Sequence, residues 1–138
     1  MTKAEGLMGI LFERIKLVGS KGERDIIALF DSGASYSFIK KELAKELETI
    51  ISLPIPLEFE TVREGEKLAV NEAIRLDFFL NGERLSDEFL VVEELTEDVI
   101  IGVATMQKWR IWLNFEEEKV VLGPRVRRLM LKNACCCF

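Results

Sequence analysis

The chain has 138 residues, 49% of them apolar and 31% charged, the balance of a soluble globular protein built on one core. Its net charge of −5 argues against general nucleic-acid binding, which draws its affinity from neutralised phosphates. The complete lack of histidine excludes Ser-His-Asp and Cys-His nucleophilic sites and imidazole-bound zinc, leaving acid–base chemistry to carboxylates, lysine or tyrosine.

Near the start, Gly6–Phe12 is apolar but stops at Glu13-Arg14. That run is too short for a signal segment or a membrane span, so the expectation is a soluble, cytoplasmic protein. Leu7–Val18 predicts a strand with Ile10, Phe12, Ile15 and Leu17 as core candidates, and a bulge where the alternation slips at Glu13-Arg14. Gly19-Ser20-Lys21-Gly22 is a turn cluster, which makes a hairpin of this strand and Asp25–Phe30.

That second strand ends in the most informative stretch of the chain, Ile26-Ile27-Ala28-Leu29-Phe30 followed by Asp31-Ser32-Gly33-Ala34-Ser35. A carboxylate at the end of a buried strand is costly unless it is paired, hydrogen-bonded or part of a site. Gly33 permits a tight turn that brings backbone close to that carboxylate. Asp-Ser-Gly is also ordinary turn chemistry, and the residues alone leave both readings open. Ser35 and Ser37 do not make a nucleophile elbow, because that motif needs glycine at position 37.

Ser37–Leu47 predicts a short helix with Leu43, Ala44 and Leu47 on its apolar stripe and Ser35 or Ser37 placed to cap it. Pro54 and Pro56 call for an extended connection. Leu57–Ala69 is so rich in Glu, Arg and Lys that little of it is expected to be buried; it reads as an exposed, mobile hairpin with its tip near residues 62–66. Ile74, Leu76, Phe78 and Leu80 alternate with Arg75, Asp77 and Phe79, and Asn81-Gly82 then turns the chain into a return strand from Leu85 to Val92.

Glu93–Asp98 is an acidic loop, and Val99-Ile100-Ile101-Gly102 is a second apolar run that ends at a glycine. A short helix is expected over Ala104–Trp109, then a hairpin of Ile111–Phe115 and Lys119–Leu122 across Glu116-Glu117-Glu118. Strand, glycine turn and helix thus occur twice, which suggests two similar halves meeting at their turns; only the first carries an acid and a hydroxyl. Neither acidic cluster has the interleaved spacing of a calcium loop, so no metal and no cofactor is expected.

Pro124 closes the domain, 1–124, and residues 125–138 form a tail with Arg125, Arg127, Arg128 and Lys132 and no acid. The three cysteines are adjacent, Cys135–Cys137, and are no disulfide framework. The last four residues formally fit a prenylation signal, so membrane association is expected only if those cysteines are lipidated; a disordered or merely apolar tail is the plainer expectation.

Leu29-Phe30-Asp31-Ser32-Gly33-Ala34-Ser35 resembles the active-site motif of the retropepsin-like aspartic proteases, the retroviral proteases and their single-domain cellular relatives. Ile100-Ile101-Gly102 with the helix and hairpin after it resembles the second signature of that family, and the order of elements between the two motifs fits over residues 8–124. The resemblance implies an all-β fold, a closed β-barrel or sandwich with one or two short helices, acting as a homodimer that hydrolyses peptide bonds of a polypeptide substrate. It implies Asp31 as the catalytic aspartate, one from each chain. Ser32 would hydrogen-bond across the dimer axis, Gly33 would offer backbone contacts to the carboxylates, and Ala34 would border the cleft. Ile101 and Gly102 would be core of the second motif. Residues 59–69 would be the flap over substrate, with Val62, Arg63, Glu64 and Gly65 at its tip. Two departures from the family pattern stand out: the flap tip is not glycine-rich, and no final dimer strand is evident in Arg125–Phe138. They motivate an alternative, a catalytically silent binding or dimerisation module on the same fold.

Overall fold

A computed structural model describes residues 9–60 and 65–124. Nine strands and two short helices follow one another along these residues: β1 (Ile10–Gly19), β2 (Gly22–Asp31), β3 (Phe38–Lys40), α1 (Lys41–Leu47), β4 (Ile51–Glu60), β5 (Lys67–Leu80), β6 (Glu83–Val92), β7 (Val99–Ile101), α2 (Val103–Lys108), β8 (Ile111–Asn114) and β9 (Lys119–Leu122). Six strands run in the order β1-β2-β7-β3-β6-β5, and β5 pairs back onto β1 at Lys16–Val18, closing a barrel. Closure removes the free edges that an open sheet of this length would present. The all-β barrel with two short helices is the expected fold class.

The barrel is filled by inward-pointing residues at alternate positions of each strand, among them Leu17, Ala28, Phe30, Ile39, Ile74, Leu76, Phe78, Phe89 and Ile101, all fully buried. Phe78 and Phe89 meet edge to face at 6.0 Å. Ile111 of β8 and Val120 of β9 add to the same core, and Trp109 Nε1 donates to Ser86 O at 2.8 Å, tying the end of α2 to β6 of the barrel.

Two expectations for β1 are corrected. Its pairing with β2 runs without a slip from Ile10↔Asp31 to Gly19↔Gly22, so there is no bulge at Glu13-Arg14. With the period of two intact, Ile15 and Leu17 point inward, while Ile10 and Phe12 share the outer face with Arg14 and are half-exposed. Ile10 and Phe12 are therefore not core.

The expected helix at Ser37–Leu47 is shorter than predicted because its first residues form β3, which lies between β7 and β6. Lys40 stands at the helix N-cap and no side chain caps it, so neither Ser35 nor Ser37 has that role. The stripe of Leu43, Ala44 and Leu47 is buried as the spacing predicts. The second helix begins one residue earlier than expected and ends at Lys108.

Pro54 and Pro56 lie within β4 rather than in a plain connection. Ser52 pairs with Glu72 and Leu57 with Val70, so residues 53–56 bulge out opposite Asn71 alone. Proline cannot donate to a ladder, and a bulge is where a strand tolerates it. The β4–β5 hairpin also buries more than its charge suggested. Leu57, Phe59 and Leu68 pack with Phe38 against a second cluster of Val70, Ala73, Leu90 and Val92 on the outside of the barrel.

Asn81 and Gly82 both have positive φ, 51° and 80°, the two-residue turn that matches the twist of a hairpin. Of the polar residues expected to alternate outward on β5, Asp77 is buried. Arg84 Nε and Nη2 reach its Oδ2 at 2.8 and 2.7 Å, and Arg75 Nη1 stands 3.0 Å from Oδ1. A buried carboxylate is tolerable with that pairing.

Candidate active site

The strand β2 decides where Asp31 goes. Ile26, Ala28 and Phe30 fill the barrel, so alternation puts Ile27, Leu29 and Asp31 on its outer face. The Asp31 carboxyl is half-buried rather than sunk in the core. Gly33 N–H donates to Asp31 Oδ1 at 2.8 Å and Ala34 N–H donates to Asp31 O at 3.1 Å, folding residues 31–34 into a tight turn around the carboxylate. The turn is of the Asx type, and its carboxylate is presented outward from the barrel.

Ser32 is bound within its own chain. Its Oγ accepts Gly9 N–H at 2.9 Å and donates to Gly9 O at 3.2 Å, while its backbone N–H donates to Gly9 O at 3.0 Å. Gly9 in turn lies against the Phe115 ring, where a Cβ would stand 2.6 Å from two ring carbons. The Ser32 hydroxyl thus already has partners on Gly9 of its own chain.

The second motif supports the first from behind. β7 runs parallel to β2 with Leu29 beside Ile100 and Phe30 beside Ile101, so the two apolar runs end side by side. Ile101 is fully buried. Gly102 follows, and a Cβ there would stand 2.2 Å from Tyr36 O and 2.8 Å from Ala34 O, so only glycine lets the two turns touch. The first amides of α2 then serve the first turn: Val103 N–H donates to Ala34 O at 2.7 Å and Ala104 N–H to Ser35 O at 3.3 Å. Helix N-termini have amides with no partner of their own, and here the Asp31 turn supplies the acceptors. The two halves inferred from the repeated pattern do meet at their turns.

Around Asp31 the outer face is apolar. Ile10 lies directly across from Asp31 on β1, Phe12 across from Leu29, and Ile10 and Phe12 are 51% and 52% exposed. On the other side of the turn, Tyr36 and Phe38 each meet the Phe59 ring edge to face at 5.3 and 5.4 Å. These contacts link the turn to the β4–β5 hairpin near the loop end of its ladder. That hairpin is paired as far as Glu60↔Lys67. Of the expected tip residues, Gly65 has φ +79° and open space around it, and Val62, Arg63 and Glu64 lie outside the described residues. So do the tail and its cysteines.

Sequence reasoning missed Tyr36, Phe59, Ser37 and Thr105. The last two are a buried hydroxyl pair that joins the two motifs, with Oγ and Oγ1 2.6 Å apart. The one signal for the pair was a small hydroxyl residue just past each glycine turn. Among the described residues no group of three or more His, Cys, Asp or Glu is placed to hold a metal ion, and no helix is long and apolar enough to cross a membrane.

A family model described as retroviral aspartyl protease matches residues 23–128, about three-quarters of the chain and both motifs. The chain belongs to the retroviral aspartyl protease family. Its fold is also that of a solved relative, the retroviral protease-like domain of Ddi1 from Leishmania major, with a TM-score of 0.56 and 18% identity. The likeness covers 82% of this chain and 87% of that one, and at this identity it is a likeness of fold. No match was found among curated proteins. The barrel, the paired turns and the outward hairpin are thus a retropepsin-like fold.

Proposed function

We propose that the chain is an aspartic endopeptidase whose site is completed by a second copy, with Asp31 of each chain forming the catalytic pair. The observation that carries this is the Asp31 turn. Its carboxylate faces outward from the barrel, held by Gly33 N–H, with β7 and α2 bracing the turn from the inner side. One such carboxylate is half of the required machinery.

Two carboxylates about 3 Å apart cannot both ionise readily, so the pair shares one proton. The ionised member takes a proton from a water molecule as its oxygen attacks the scissile carbonyl carbon. The protonated member gives its proton to the carbonyl oxygen, producing a tetrahedral diol. Collapse of the diol breaks the C–N bond, and a proton passes from the dyad to the departing amine. No bond forms between enzyme and substrate.

Ile10, Phe12 and Leu29 beside Asp31, together with Tyr36 and the Phe59 of the β4–β5 hairpin that it meets, give an extended polypeptide an apolar bed. The β4–β5 hairpin is the element that closes over it. Ser32 of each chain turns from Gly9 towards its counterpart as the two turns dock.

The test is Asp31→Asn. Cleavage of fluorescently labelled, denatured casein should fall by on the order of a thousandfold or more, because a neutral amide can neither accept nor donate the transferred proton. The variant should still fold and self-associate. Full activity in Asp31→Asn would refute the reading. An inactive wild-type protein that nevertheless dimerises through this face would favour the binding-module alternative.

A further inference from the structure

A turn that leaves a strand has backbone polar groups without ladder partners, and each needs one elsewhere. In residues 31–37 the partners come from two directions. Val103 and Ala104 of α2 serve the carbonyls of Ala34 and Ser35, and Leu90 N–H of β6 donates to Ser37 O at 2.9 Å. What fixes α2 at the right height is a side chain. Ser37 is 3% exposed, and its Oγ accepts the buried Gly102 N–H at 3.0 Å. The same Oγ lies 2.6 Å from Thr105 Oγ1, itself on a residue 2% exposed. One hydroxyl therefore ties the end of the Asp31 turn, the end of β7 and the first turn of α2 to one point.

We infer that Ser37 is a positioning residue for Asp31, acting with Thr105 to hold α2 against the turn that presents the carboxylate. The inference rests on the reading of Asp31 as catalytic, and its chain of contacts is short. Removing the Ser37 hydroxyl leaves Gly102 N–H buried without an acceptor, and burial without a partner is what the local structure relieves by moving. The first amides of α2 move with Gly102, and the Ala34 and Ser35 carbonyls follow them. Gly33 N–H then no longer meets Asp31 Oδ1 squarely. Ser37 touches neither substrate nor reacting atoms, and the apolar bed of β1 and β2 is left in place. The loss belongs in the chemical step and not in binding.

The experiment compares wild type, Ser37→Ala, Thr105→Val and the hydroxyl-retaining Thr105→Ser. Amide hydrogen exchange is read at Ala34 and Val103 and, as a reference for global opening, at Leu76 and Phe78 in the barrel wall. kcat and KM are measured on a labelled casein-derived peptide well below the melting temperature. In Ser37→Ala, exchange at Ala34 and Val103 should quicken while Leu76 and Phe78 hold. kcat should drop by about tenfold, the scale on which small misplacements act, and KM should stay within about twofold. Thr105→Val should show a smaller loss of the same kind, and Thr105→Ser should restore both readouts. Unchanged exchange at Ala34 and Val103, or equal quickening at all four amides, overturns the inference, as does an unchanged kcat in Ser37→Ala with the peptide cleaved. If Ser37→Ala does not fold, the contrast between Thr105→Val and Thr105→Ser decides on the same readouts. A wild type that cleaves nothing sinks the protease reading, and the exchange pattern still decides whether Ser37 and Thr105 hold the turn.

Discussion

Gly102 is where a single residue most constrains the site. A methyl group there would meet the Tyr36 carbonyl at 2.2 Å, and that oxygen is backbone that cannot swing aside. Gly102→Ala should therefore push α2 and the Asp31 turn apart and cost about 1–3 kcal/mol, the range for overpacking. Urea unfolding would show this as a lower midpoint at unchanged slope, and an unchanged midpoint would contradict the contact. The same residue scale shows what a single sequence can reveal. The turn at Asp31 was legible because a carboxylate, a hydroxyl and a glycine at the end of an apolar strand call for one. Ser37 was not, because a hydroxyl ahead of a helix reads equally as a cap, and its real partners, Gly102 and Thr105, lie more than sixty residues away. Ile10 and Phe12 misled for a different reason. Both faces of β1 carry apolar residues at one end, and only the unbroken pairing with β2 decides which face is inside.

Among the elements, the β1–β2 hairpin is fastened to α1 at its turn. Lys21 N–H donates to Leu47 O at 2.9 Å, and Glu48, just past the helix, accepts Ser20 N–H at 2.7 Å and the Ser20 hydroxyl at 2.8 Å. These bonds favour the charged carboxylate, with the Ser20 amide foremost, and hold its pKa below the usual glutamate value. The sign follows from that direction. A carboxyl with a lower pKa in the folded than in the unfolded protein contributes stability that is complete above the unfolded value of about 4.3. That contribution disappears as pH falls through the lower, folded value. Glu48→Gln should thus melt at a lower temperature than wild type at neutral pH, with the two curves converging in acid. A gap that stays constant from neutral pH to about pH 3 would mean that the charge of Glu48 is not what fastens the turn. Elements of this kind were partly readable: the turn at Gly19–Gly22 and the hairpin at Asn81-Gly82 follow from local chemistry. β3 was not, since three residues have no period to detect and owe their strand form to β6 and β7 on either side.

At the scale of the whole molecule, the Asp31 carboxylate lies on the outer face of a closed barrel, with Ile10 across from it and Phe12 two pairs further along, both half-exposed. Among the described residues nothing covers these side chains, and an apolar surface beside a carboxylate suits the polypeptide bed proposed above. In the proposed assembly a symmetric pair brings the two Asp31 turns together, and the interface is the same turn on both copies. Mixing tests this more directly than any single substitution. A fixed amount of wild type is equilibrated with increasing Asp31→Asn chain, which folds and pairs but supplies no ionisable partner. If each active site needs Asp31 from two chains, wild-type chains become trapped in mixed pairs. At a ninefold excess of the variant, the activity per wild-type chain should fall to about a tenth, the chance that its partner is also wild type. A site complete within one chain would keep its activity at every ratio, and that flat line would end the two-chain dyad while leaving the fold untouched. The mixture must be allowed to exchange subunits before assay, which dilution and reconcentration ensure, because a slowly exchanging dimer would mimic the flat line.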